Sequence, residues 1–188
     1  MKKGICYGTL AGDSIEDRFQ LAREAGFAGV EIGTQENDAD RQSFKAMADE
    51  NGIDLFSIMN SKHWGLPLSD PDPEVRAGSV QGVIESLDTA IVVGASTILL
   101  VPAVVNDDTI YEDAYQRSQK EIKKLIPMAE EKGVKISIEN VWNKFLLSPI
   151  EFVNYIDEFE SDSIGAYFDV GNILLYGFPQ HWIRSIGE

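Results

Sequence analysis

Two stretches, Lys135-Ile-Ser-Ile-Glu-Asn-Val141 and Ala166-Tyr-Phe-Asp-Val-Gly-Asn172, decide the fold. Each is a short apolar run that closes on a carboxylate, Glu139 in the first and Asp169 in the second. Alternation of period two sets Ser137 and Glu139 on one face and Ile136 and Ile138 on the other, the pattern of a strand with a polar inner face and helices packed outside. In a parallel barrel all strands point the same way. Acids at the C-terminal ends of adjacent strands therefore converge on one mouth, where they can share a divalent cation.

Working outward, strand and helix alternate along the whole chain. Gly4–Thr9 reads as a first strand, followed by a helix from Ser14 to Gly26 with Ser14 as cap and Asp17 three residues on. Gly29–Gly33 is a second strand, and a helix from about Asp40 to Asn51 leads to a third, Asp54–Asn60. A long loop through His63 and Trp64 ends at Asp72-Pro73-Glu74, a cap, a proline at the first helical position and an acid in the first turn. That helix stops at Gly94, and Ser96–Val101 is the fourth strand. A single helix is expected from Tyr111 to Lys132, kinked at Pro127. Ser148-Pro149 caps the helix between the fifth and sixth strands, and a last helix is expected from about Asn172 to Ile186.

The strand starts at Gly4, Gly29, Asp54, Ser96, Lys135 and Ile164 are 25 to 42 residues apart, the interval of a βα repeat. A doubly wound sheet shares this alternation, but its first turn carries a Gly-rich phosphate loop that Tyr7-Gly-Thr-Leu-Ala-Gly12 does not supply. The expected fold is therefore an α/β chain of the (β/α)8 TIM-barrel type, incomplete, with about six of the eight units present in a single domain over residues 1–188.

Composition agrees with one ordinary globular core: 44% hydrophobic and 25% charged residues in 188. A formal charge of −15 opposes nucleic-acid backbones and anionic membranes, so a small-molecule partner is expected. Cys6 is the single cysteine and excludes an intrachain disulfide. The apolar stretch after Met1-Lys2-Lys3 is too short for a signal peptide and no segment is long enough to span a membrane, which makes a cytoplasmic location the expectation.

Three segments carry a family likeness: His63-Trp-Gly-Leu-Pro-Leu-Ser-Asp-Pro-Asp-Pro-Glu-Val-Arg76, Ile138-Glu-Asn-Val-Trp-Asn-Lys-Phe-Leu-Leu-Ser-Pro149 and Gly165-Ala-Tyr-Phe-Asp-Val-Gly-Asn-Ile-Leu-Leu-Tyr-Gly177. They resemble the sugar isomerase and epimerase group of the xylose isomerase-like TIM barrels, and the likeness runs over essentially the whole chain. It implies a metal held by a Glu ending the fifth strand, an Asp ending the sixth, a His in the seventh and a Glu in the eighth. Glu139 and Asp169 match the first two, and the others would lie beyond Glu188, so a member truncated before its seventh strand is implied. The cofactor implied is a divalent metal, Mn or Mg first, with Co or Zn as alternatives. The chemistry implied is removal of a proton next to a carbonyl through an enediolate, on a sugar or sugar phosphate. Glu139 is then the catalytic carboxylate, and a fragment without its opposite-face partner is expected to be inactive.

Other residues near the mouth are candidate substrate contacts: Glu31 at the end of the second strand, His63 and Trp64 after the third, Arg117 early in the following helix, Asn140 beside Glu139, and Asn172. Each has a structural alternative. Glu139 can be a hydrogen-bonded barrel acid, Asp169 a cap for the turn at Val170–Asn172, Arg117 the partner of Asp113, and Trp142 a packing residue. His181 reads as a helix-face residue. Several ketose 3-epimerases carry a His three residues after the metal Asp, where this chain has Asn172. Two further readings stand: a non-catalytic fragment whose open edges pair with a second copy, giving a homo-oligomer, and an abasic-site endonuclease of the same superfamily. The nuclease needs a multi-zinc cluster rich in His, against which stand two His residues and the strong acidity.

Overall fold

The computed structural model describes residues 2–187. Its elements in chain order are β1 (Gly4–Cys6), a 3₁₀ turn (Tyr7–Thr9), α1 (Ile15–Glu24), β2 (Gly29–Gly33), α2 (Asp38–Asn51), β3 (Asp54–Met59) and α3 (Pro73–Val93). There follow β4 (Thr97–Leu100), α4 (Tyr111–Lys123), α5 (Ile126–Lys132), β5 (Lys135–Glu139), α6 (Pro149–Asp157), β6 (Ile164–Tyr167), α7 (Val170–Ile173) and α8 (Pro179–Ile186). The strands form one sheet in the order β1-β2-β3-β4-β5-β6, every pair parallel. It is the α/β arrangement expected, an open run of six strands with helices between them. Among the described residues no helix is long and apolar enough to cross a membrane.

Local chemistry sets the helix ends. Ser14 and Asp17 form a reciprocal capping box at 3.0 and 3.1 Å, and Asn37 accepts from the Asp40 amide, which starts α2 two residues earlier than the sequence reading placed it. Gly94 ends α3 at φ 83°, a left-handed conformation that costs glycine no Cβ clash.

Two of the expected helices are each divided. Pro127 has no N–H for the Lys123 carbonyl and its ring crowds that turn, so α4 stops at Lys123 and α5 begins anew at Ile126. Between them Lys124 and Leu125 tighten into bonds three residues back, to Glu121 and Ile122. Pro179 does the same at the C-terminal end. The expected helix from Asn172 to Ile186 is a single turn, α7, a loop over residues 174–178, and then α8 with Pro179 in its first turn.

The core lies between the sheet and its helices. Val30, Ile32, Leu55, Ile58, Ile98, Leu100, Ile136 and Ile138 are all buried there against Phe19, Phe44, Val83, Leu87, Ile122 and Phe152. Leu55 and Ile58 are three apart yet both buried, which strict alternation forbids. A β-bulge resolves it: Val30 pairs with Leu55 and Glu31 with Ser57, so Phe56 is an extra residue. The bulge turns Ser57 to the inner face beside Glu31. On that face Thr97 and Ser137 hydrogen-bond at 2.7 Å, below the level of Glu139.

Candidate metal and substrate site

Glu139 is the last residue of β5 and pairs in register with Tyr167, the last of β6. Two residues beyond Tyr167, Asp169 leaves the sheet as the cap of α7, its Oδ1 accepting from the Asn172 amide at 2.7 Å. The capping alternative for Asp169 is thus realised, and it occupies only one of the two carboxylate oxygens. Strand ends and a single-turn helix bring the two acids to the same rim.

A network of amides fixes that rim. The Asn140 side chain donates from Nδ2 to the Asp169 carbonyl at 2.7 Å and accepts at Oδ1 from the Asp169 amide at 2.8 Å. Asn172 Nδ2 donates to the Asn140 carbonyl at 3.0 Å, and the Trp142 indole donates from Nε1 to the Asn172 carbonyl at 2.9 Å. Asn140 is 1% exposed, so its amide is committed to the main chain of Asp169. Trp142 is 60% exposed and is held by its nitrogen with the ring face open.

The electrostatics single out Glu139. Burial, then the neighbouring charges of Asp169 and Glu31, push its carboxyl up to about 7 from 4.5, with no hydrogen bond to offset them. Glu31 is buried in the interior and accepts a 2.6 Å hydrogen bond at Oε2 from the Tyr167 hydroxyl. Burial and the Glu31 carboxylate push that phenol far above its ordinary range, so it stays a donor. Ser57, beside the same phenol, has a fully buried hydroxyl with no partner of good geometry among the described residues.

These acids feel one another without converging. Among the described residues no three or more His, Cys, Asp or Glu side chains lie close enough to share an ion. What the site offers a metal is a pair of carboxylates, Glu139 with no hydrogen-bond partner among the described residues and Asp169 with its second oxygen free of the cap. Oxygen donors of this kind suit a hard cation that keeps several waters, as Mg and Mn do. The donor set fits such an ion, weakly held.

The other sequence candidates are placed as follows. His63 is buried after β3, its Nδ1 accepting from the Val101 amide at 3.2 Å and its ring edge-on to Trp64. That bond leaves the proton on Nε2, and burial lowers the imidazole to about 4 from 6.5. Trp64 is 51% exposed. Arg117 bonds Asp113 at 2.9 Å and the Ser69 carbonyl at 3.3 Å, the surface pairing being joined by a tie to the loop after β3. His181 is exposed on α8 against Phe178.

Tyr167, Ser57 and Cys6 were not singled out from sequence. Tyr167 shares Asp169's period-two face and was within reach of that rule. Cys6 pairs in register with Glu31 at the end of β1, which puts both on the inner face. Ser57 depends on the bulge, which alternation does not signal.

A parallel α/β sheet of six strands with helices between them, in the order β1 to β6, is the arrangement of a TIM-barrel-type fold. A family model described as xylose isomerase-like TIM barrel matches residues 19–188, and the chain belongs to that family. Among curated relatives, L-ribulose-5-phosphate 3-epimerase UlaE of Escherichia coli O1:K1 is 25% identical over 173 residues, covering 87% of this chain and 61% of the relative. The Salmonella typhi enzyme of the same name is 24% identical over the same coverage. The chain thus spans 61% of the length of these relatives. In structure it resembles D-psicose 3-epimerase from Clostridium cellulolyticum H10, with a TM-score of 0.85 at 20% identity over 100% of this chain and 70% of that one. It also resembles the 3-keto-D-glucoside 4-epimerase YcjR of E. coli, with a TM-score of 0.84 at 16% identity over 99% and 76%. These two likenesses concern the fold.

Proposed function

We propose that the chain carries the cation-binding and proton-abstracting part of a divalent-metal-dependent sugar, or sugar phosphate, isomerase or epimerase. The observation that carries this reading is Glu139, a strand-end carboxylate raised to about 7 with no hydrogen-bond partner, next to Asp169 at the rim. Glu139 and Asp169 would hold the ion, Mn or Mg before Co or Zn. When bound, it polarises the substrate carbonyl and stabilises negative charge developing on that oxygen. Glu139, once ionised, takes the proton from the adjacent carbon, provided it lies within roughly 2.6–3.2 Å. The Nε2–H of His63 and the carboxylate of Glu31 are proposed to bind sugar hydroxyls, with Trp64 supplying a stacking face. Arg117, Asn140 and Asn172 are already engaged by protein atoms, which supports indirect roles for them. The acidity of the chain and its two His residues support a sugar rather than a nucleic-acid substrate.

Hydrogen exchange tests this separately from complete turnover. A ketose or ketose phosphate incubated with the chain and Mn in deuterated water should exchange the proton next to its carbonyl faster than with Glu139→Gln. Equal rates for the two proteins would defeat the reading.

A second reading rests on its own observation. Leu174, Leu175, Phe178 and Ile183 are exposed apolar residues in the segment that follows β6, and β6 has no further strand partner among the described residues. This supports the homo-oligomer, which light scattering tests: a monomer at high concentration would refute it.

A further inference from the structure

The Asn140 amide makes two hydrogen bonds to one residue, donating to the carbonyl of Asp169 and accepting from its N–H. Side-chain primary amides and peptide units are complementary in this way, and the pairing holds a segment as a further strand residue would. It takes over where the ladder ends, since the register between β5 and β6 stops at Glu139 and Tyr167. Beyond that point Asp169 has no strand partner for its main chain except this side chain.

We propose that Asn140 is the positioning residue of the cation site: its amide fixes the Asp169 backbone, and hence the Asp169 carboxylate beside Glu139, before any ion arrives. The inference rests on the cation site proposed above and adds a specific residue to it. Three observations support it. Asn140 follows Glu139 directly, so one strand end supplies both a ligand and the group that places the other ligand. Its amide is 1% exposed, which keeps it out of reach of a sugar hydroxyl and separates it from the substrate contacts. Finally, the single turn α7 is too short to hold itself, and its cap is the same Asp169 whose main chain Asn140 grips. A carboxylate held this way keeps one oxygen on the Asn172 amide and presents the other at the rim. A group one layer behind the ligands commonly changes metal affinity by about 10–100-fold.

The test uses the 188-residue chain and Mn²⁺ alone, read by the electron paramagnetic resonance signal of free aqueous Mn²⁺. Asn140→Leu keeps the shape of the side chain and removes both hydrogen bonds without adding charge. It should weaken Mn²⁺ binding by about tenfold or more. Asn172→Ala loses only the bond to the Asn140 carbonyl, leaves the Asn140 pair with Asp169 intact, and should weaken binding by less than about threefold. Melting temperatures of all three proteins separate positioning from folding, because binding is measured well below the lowest of them. If wild type binds and Asn140→Leu matches it, or if Asn172→Ala loses as much as Asn140→Leu, the positioning role is overturned while the cation site stands. Should Asn140→Leu not fold, Asn140→Ser is measured in its place with the same expectation. Wild type that binds no Mn²⁺ at millimolar concentration overturns the cation site and this inference together.

Discussion

The Tyr167 hydroxyl donates a 2.6 Å hydrogen bond to Glu31, joining β6 to β2 across the interior although three strands separate them in the sheet. The sheet is therefore curled enough for its sixth strand to reach its second. This bond is a polar tie where a closed barrel would have side-chain layers. Glu31 and Asp169 both act on the charge of Glu139, yet among the described residues no three such acids lie close enough to share an ion.

Tyr167→Phe should cost about 1.5–3 kcal/mol, because it removes a hydrogen bond to a buried carboxylate and leaves the acceptor unpaired. Urea denaturation at neutral pH measures this. The double variant with Glu31→Gln should lose less than the sum of the two single changes, since the two groups form one pair. Additive losses would mean that the tie contributes nothing.

Glu139 sets a pH dependence of known sign. Its carboxyl lies at about 7 in the folded chain against 4.5 ordinarily, so the fold binds the proton more tightly than the unfolded chain does. Its contribution is fully present below pH 4.5 and is lost as the pH rises through about 7. Glu139→Gln should therefore match wild type near pH 4 and exceed it at pH 8 by about 1–2 kcal/mol, after discounting for partial solvent exposure. Wild type more stable than the variant at pH 8 without metal would contradict the burial and charge argument.

His63 works in the opposite sense. Lowered to about 4 from 6.5, its neutral form contributes stability above pH 6.5 that is lost as the pH falls through about 4. Asn at position 63 keeps an acceptor for the Val101 amide but does not titrate. The difference between wild type and His63→Asn should thus shift against wild type by about 2–3 kcal/mol from pH 7 to pH 4. A flat difference across that range would place the imidazole in solvent.

Ser57 carries a buried hydroxyl without a partner of good geometry. Ser57→Ala removes that group with little change of volume and should be neutral or stabilising, by up to about 1 kcal/mol. A loss of more than about 1 kcal/mol in thermal denaturation would reveal a hydrogen bond to the Tyr167 phenol.

Much of this was legible in the chain. Period-two alternation put Ser137 and Glu139 inward, and caps and glycines marked most helix ends, because both signals are local. The same rule would have added Tyr167. The division of the helices at Pro127 and Pro179 was half visible: each proline was in plain sight, but whether a proline kinks or ends a helix depends on what the neighbouring turns pack against. The bulge at Phe56 was not visible, since it arises from fitting β3 to β2. The reciprocal grip of Asn140 on Asp169 was also hidden, as it links residues 29 apart in sequence.

The central claim is that Glu139 and Asp169 form one cation site, and Mn²⁺ titration of the metal-free chain tests it most directly. Two carboxylates should give a weak site, with Kd of about 10⁻⁴–10⁻³ M for wild type. Glu139→Gln and Asp169→Asn should each weaken it by about tenfold or more, and the double variant should lose little beyond either single one, as expected for ligands of a shared ion. Wild type and both variants taking up Mn²⁺ equally would contradict the account.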